Sequence, residues 1–209
     1  NVPVDVLIDK GYKDIIVLRI YGYGIDTEKK LEVPGDVNLY HVAPRQDLGG
    51  ILEFDRKRAR RNMLLGYFDG RRMLYGLAGR IYYIDAPEGE PYYCDKMMSE
   101  IPCLMTYLDP DKAGAVCGGL GDTAQSHGLP GYRVYTERIF PMLAKELKLK
   151  DGWDYRELYL SLLEDLAKQY RISRFKIYTV DELLNLIHKK AGSAARKLLI
   201  PTLDSSLQV

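Results

Sequence analysis

The chain has 209 residues, 46% of them hydrophobic and 28% charged, with a formal net charge of +1. That composition belongs to a globular protein with enough sequence to bury a sizeable core, and it excludes disordered and fibrous chains. A charge so close to zero supplies no global field for nucleic acid, so any charge-driven binding falls to local patches.

The opening segment reads as a short helix followed by a strand. Pro3 suits a first helical turn, Val4, Leu7 and Ile8 recur at helical spacing, and Gly11 stands where a left-handed cap stops the helix. Ile15–Ile20 is a β-branched run without alternation, which predicts a strand covered on both faces in a parallel sheet under helices. A polar loop from about 21 to 36 leads to a second strand, Val37–Val42, ended by Pro44.

Beyond it the character turns helical. Arg56–Leu77 is rich in helix formers but is weakened by Gly66, Gly70 and Gly76. Gly79–Ile84 reads as a short strand or a connector. Pro91–Leu108 is a poorer helix interrupted at Pro102, and the glycine-rich stretch 109–131 reads as a loop and an internal boundary. Tyr132–Leu149 is helical with a kink expected at Pro141.

The strongest helical signal is Tyr155–Tyr170. Tyr155, Leu158, Tyr159, Leu162, Leu163, Leu166, Ala167 and Tyr170 share one face at the 3.6 period, and Asp154 with Glu157 can cap its start. The last helix opens on a capping box, Thr179 with Glu182, stapled by Tyr178 and Leu183. Gly192 is expected to end it, and the tail after Ala194 is expected to fray. Most of the 17 tyrosines read as packing residues with a hydroxyl at the rim.

The fold class expected is therefore α/β over the first residues, followed by a mainly α-helical extension. Two strands alone are marginal in water, so this piece completes a sheet whose other strands come from elsewhere. The chain opens on Asn1 rather than methionine, and further protein, with or without a targeting segment, is expected upstream.

Few residue groups carry chemistry. Cys94, Cys103 and Cys117 form no Cys-x-x-Cys pair, which fits a reducing, cytoplasmic setting. His41, His127 and His188 are far apart in sequence, so neither a metal nor another cofactor is expected. Gly118-Gly119-Leu120-Gly121-Asp122 reads as a linker, since no Lys-Ser/Thr follows as a phosphate loop requires. Ser126-His127 reads as a loop pair, because adjacent side chains seldom face each other as a catalytic pair must. The one dense basic run, Arg56, Lys57, Arg58, Arg60 and Arg61, reads first as a solvated helix start. It is also the candidate contact with an anionic lipid surface, at about 1 kcal/mol per residue. Nucleic acid is not expected as a partner, since no aromatic platform is interleaved with the basic residues.

Several segments, in order, resemble bacterial patatin-like phospholipases. They are Asn1-Val2-Pro3-Val4-Asp5-Val6-Leu7 with Gly11–Ile20, then Leu48-Gly49 with Leu52 and Phe54, then Asn62 and Gly66-Tyr67-x-Asp69. Last comes Leu77-x-Gly79-Arg80-x-Tyr82-Tyr83-Ile84. The likeness covers roughly residues 1–85 and implies the C-terminal end of a patatin-like three-layer α/β/α domain, with 86–209 as a helical C-terminal extension.

The resemblance implies ester hydrolysis by a serine–aspartate dyad in the parent protein, the serine in a Gly-x-Ser-x-Gly elbow beside a glycine-rich oxyanion loop. This chain has no Gly-x-Ser-x-Gly, and its Asp69-Gly70 and Asp151-Gly152 continue as Arg71 and Trp153 rather than as the dyad motif. No catalytic residue is expected within it. The partners implied are a lipid or membrane surface met peripherally through the parent protein, and an upstream catalytic half or a second copy completing the sheet. The other reading is a stand-alone helical interaction module without a lipid role.

Overall fold

A computed structural model describes residues 4–19, 33–50, 55–109, 111 and 131–204, the side chains of 131–132 and 194–204 excepted. The chain divides into two compact units, Asn1–Tyr83 and Ile84–Val209. The division lies at the end of the Tyr82-Tyr83 pair rather than in the glycine-rich stretch 109–131, nearly all of which falls outside the described residues.

The first unit opens with helix α1, Val4–Asp9. The amide of Gly11, at φ +83°, reaches the Ile8 carbonyl at 2.8 Å, and that of Tyr12 reaches Leu7 at 3.1 Å. This is the paired bonding that ends a helix on a left-handed glycine, as the sequence predicts. Strands β1, Asp14–Leu18, and β2, Asn38–Val42, then pair in parallel with Asp14 opposite Asn38 and Leu18 opposite Val42. Compared with the expected run Ile15–Ile20, β1 begins one residue earlier and ends at Leu18.

Parallel pairing is as predicted, but the covering of β1 is not. Ile15 and Val17 are buried with Val4, and Ile8, Val37 and Leu39 pack against them. Among the described residues the opposite face is bare, with Ile16 55% and Leu18 72% exposed.

Helix α2, Arg56–Tyr75, starts on Asp55, whose carboxylate accepts from the amides of Lys57 and Arg58. It ends on Gly76 at φ +61°. Gly66 and Gly70 do not interrupt it, because Leu65, Phe68, Asp69 and Arg72 anchor one continuous buried face.

The second unit is helical. Strand β3, Tyr83–Asp85, forms a two-stranded sheet with β4, Ile177–Thr179. Helix α3, Glu90–Met105, runs straight through Pro102, contrary to the expected interruption. An interior proline costs about 3 kcal/mol. Against that, Tyr93, Met97, Ile101 and Leu104 are fully buried on one face, and burying each such side chain contributes about 1.5–3 kcal/mol. Packing wins.

Pro141 does distort its helix, in a specific way. Helix α4, Gly131–Val134, passes into a π-helical turn, Tyr135–Ile139, and then into α5, Phe140–Glu146. A proline at 141 has no amide to give the carbonyl of residue 137, and the wider turn accommodates that, with the Phe140 amide bonding back to Tyr135.

Helix α6, Tyr155–Gln169, starts on Asp154, whose carboxylate accepts from the Glu157 amide at 2.6 Å. The predicted face is buried from Leu158 to Ala167 and half-buried at Tyr155 and Tyr170, and Leu160, Ser161 and Glu164 are buried as well. The helix is central and packs on α3, on α5 and on α7, Val180–Asp204. Its neighbours contribute the fully buried Phe140, Leu183 and Ile187.

Helix α7 carries the predicted capping box. The Thr179 hydroxyl accepts from the Glu182 amide and the Glu182 carboxylate from the Thr179 amide, both at 3.2 Å. Gly192 does not end α7, which continues to Asp204. One glycine costs only about 1 kcal/mol in a helix, less than neighbouring turns recover. Thr179→Ala is expected to lower stability by about 1 kcal/mol in urea unfolding, and an unchanged midpoint would mean the box contributes nothing.

Candidate functional site

Chemistry-bearing side chains of the first unit collect along the buried face of α2. Four positions, 65, 68, 69 and 72, make that face at helical spacing, and two of them are charged. Asp69 is 8% and Arg72 7% exposed. The Arg72 guanidinium donates from Nη1 to Asp69 Oδ1 at 3.0 Å and from Nη2 to the Tyr82 carbonyl at 2.8 Å. The Tyr83 hydroxyl donates to the same Asp69 oxygen at 3.1 Å, and the Arg72 guanidinium carbon lies 4.3 Å from the centre of the Tyr83 ring. Phe68 completes the packing, 5.0 Å from Tyr83.

A buried ion pair is weak evidence for stability, because desolvation offsets most of its attraction. What the pair does here is fix register: it holds Tyr82-Tyr83 against the fourth and fifth turns of α2.

The segment before α2 is tied down by similar means. Asn62 donates to the Leu48 carbonyl at 2.8 Å, Arg61 to Gln46 at 3.1 Å, and Arg45 to the Gly79 carbonyl at 2.7 Å. The dispersed residues thus form two bonded groups on α2, Leu48 with Asn62, and Asp69 and Arg72 with Tyr82 and Tyr83. Leu52 and Phe54 lie outside the described residues.

The Asp69–Arg72 pair borders an open cavity of about 350 Å³ whose polar lining is His41, Arg45, Asp69 and Arg72. The lining offers cationic donors and an ion-paired carboxylate and no serine, threonine, cysteine or lysine. Its two guanidinium groups, Arg45 and Arg72, can hold an anion or a carbonyl oxygen.

The basic run occupies the first turns of α2. Arg56, Lys57, Arg60 and Arg61 are exposed and Arg58 is half-buried. Cations at a helix N-terminus oppose the macrodipole, so the run does not serve the helix's own stability. Arg56 and Arg60 lie on the same stripe as Met63, Tyr67 and Leu74, all three of them exposed. The sequence reading missed this apolar continuation, although its 3.6-residue spacing was visible.

His41 stands in the first unit and His188 in the second. Among the described residues no group of three or more His, Cys, Asp or Glu could hold a metal ion, and no helix is long and apolar enough to cross a membrane. Cys117, the Gly118–Asp122 segment and Ser126-His127 lie outside the described residues. No family model, no curated protein and no solved structure matches this chain.

Proposed function

We propose that this chain is the C-terminal, non-catalytic portion of a patatin-like lipid acyl hydrolase. It closes the parent's three-layer α/β/α domain, and its helical unit extends that domain. The observation that carries the reading is the state of the β1–β2 sheet. Parallel sheets are ordinarily covered on both faces, yet this pair packs one face and leaves Ile16, Leu18 and Tyr40 exposed on the other. Covering that face with the parent's upstream layer removes apolar surface from water at about 25 cal/mol per Å².

Two further features support it. Four of the motif residues, Asn62, Asp69, Tyr82 and Tyr83, take part in hydrogen bonds to or along α2. The α2 stripe combines Arg56 and Arg60 with exposed Met63, Tyr67 and Leu74, a pattern suited to lying on an anionic lipid surface. Lys57 borders it, while Arg58 and Arg61 lie on the side of Leu65 and Arg72. The reacting serine and aspartate belong upstream, since this sequence contains no Gly-x-Ser-x-Gly.

The coding sequence before Asn1 is expected to encode Asp-Gly-Gly/Ala within a few residues and Gly-x-Ser-x-Gly farther back. An ester-hydrolysis assay on the whole protein beside this chain is expected to find activity only in the former. Loss of a nucleophile costs about 10⁶-fold in a well-studied protease. Turnover by this chain alone, or an upstream sequence without either motif, would overturn the proposal and leave the helical interaction module as the reading.

A further inference from the structure

The second unit holds a chain of four titratable side chains that the lipase reading does not use. Glu100 and Cys103 lie on α3, Tyr107 just beyond its end, and His188 on α7. The thiol of Cys103 donates to the Tyr107 hydroxyl at 3.3 Å. The Tyr107 hydroxyl lies 3.0 Å from His188 Nδ1, and His188 Nε2 lies 4.0 Å from a Glu100 carboxylate oxygen.

Each member has a defined place. The Tyr107 backbone is pinned at its carbonyl by Gln169 at 2.8 Å and the Tyr170 hydroxyl at 3.2 Å, and its ring packs edge-on to both Tyr170 and His188. With Tyr107 accepting from the thiol, its single proton points at His188 Nδ1, which places the imidazole proton on Nε2, facing Glu100. Cys103 is exposed, so its sulfur is open to solutes.

We propose that Cys103 is a reactive thiol whose proton is relayed through Tyr107 to His188, and that the resulting thiolate exchanges with small soluble disulfides. The relay is a concerted inversion of hydrogen bonds. The thiol proton passes to the Tyr107 oxygen while the Tyr107 proton passes to His188 Nδ1. Glu100 stabilises the imidazolium, and the phenol, protonated again, donates to the sulfur anion. Tyr107 suits this, because its phenol is pushed up to about 12, first by the bond to Cys103 in the arrangement where the phenol donates to the sulfur and then by burial, so the phenol ends the relay protonated.

The thiolate then attacks one sulfur of the disulfide R–S–S–R. A Cys103–S–S–R bond forms, the R–S–S–R bond breaks, and R–S⁻ leaves, taking the proton held on His188. The disulfide is the only oxidant required. The groups facing the relay are Glu100 and Cys103 from α3, Tyr170 from the end of α6, and His188 from α7.

The test treats the intact chain with glutathione disulfide or iodoacetamide near neutral pH and follows each cysteine peptide by mass spectrometry. Cys103 is expected to react about tenfold faster than the half-buried Cys94. Tyr107→Phe and His188→Gln are each expected to slow Cys103 about tenfold near pH 7, and to match the parent near about pH 9.5, where thiols ionise without help. Glu100→Gln is expected to slow it by a smaller factor. A purely structural role would change the rate equally at both pH values. Equal rates near pH 7 in the parent, Tyr107→Phe and His188→Gln would overturn the relay, as would deficits that persist near pH 9.5. Should Tyr107→Phe fail to fold by circular dichroism, His188→Gln, which leaves the phenol in place, decides the question.

Discussion

Arg72→Ala is expected to destabilise the first unit by about 3–5 kcal/mol, the characteristic cost of removing one partner from a buried ion pair. The loss has two parts. Asp69 keeps only the Tyr83 hydroxyl against its buried charge, and the Tyr82 carbonyl loses its guanidinium donor. A domain's whole stability is about 5–15 kcal/mol, so the loss is a large share of it. Arg72→Lys is expected to recover little, since an ammonium cannot fork between Asp69 and the Tyr82 carbonyl. Asp69→Leu combined with Arg72→Met is expected to recover much of the loss, because it leaves no buried charge. Hydrogen exchange across residues 56–75 measures all three. A change under about 1 kcal/mol in Arg72→Ala would show that the pair is solvated and does not organise α2.

Alkali is expected to unfold the helical unit over a defined window. Burial pushes the phenols of Tyr159, Tyr170 and Tyr178 upward, and at Tyr93 burial outweighs the nearby Arg156. At Tyr107 the bond to Cys103 leads, and the value reaches about 12. A phenol raised in the folded state stabilises the fold fully below its unfolded value of about 10, and that contribution disappears as the pH climbs through the folded value. Lys96, raised chiefly by its hydrogen bond to Asp181, loses its contribution in the same direction.

Helical circular dichroism should therefore hold to about pH 10 and fall toward about pH 12, with tyrosinate absorbance rising together with the loss of helix. Tyr159→Phe is the sharpest check. Tyr159 is fully buried on α6, and its hydroxyl has no hydrogen-bond partner among the described residues. The variant is expected to be as stable as the parent or about 1 kcal/mol more so at neutral pH, and to unfold at higher pH. Alkaline transitions that coincide in parent and variant would show that Tyr159 is not the group being titrated.

The features legible in the sequence are those that a few adjacent residues determine. Gly11 stops α1 because the turn needs positive φ, and Thr179 with Glu182 starts α7 because two short side chains can satisfy two free amides. The run Ile15–Val17 belongs to a strand for a similarly local reason, since β-branched side chains suit the pleated backbone, although its two-sided covering was not local and did not hold for Ile16. Pro102 and Gly192 misled for the opposite reason. Their intrinsic costs are real, but burial of Tyr93, Met97, Ile101 and Leu104, and propagation of α7 through its later turns, exceed them.

What only the tertiary structure decided is which distant residues meet. Asp69 and Arg72 share a helix face by spacing alone, yet nothing in the spacing says that Tyr82 and Tyr83 return to complete their bonds. Cys103 and Tyr107 are one helical turn apart, while His188 stands 81 residues beyond Tyr107 and arrives only because α3 and α7 belong to the same helical unit. Local rules set where helices and strands begin and end, because capping and backbone preference act within a turn. Long-range packing sets the chemistry, because burial is a property of the folded chain and of no single segment of it.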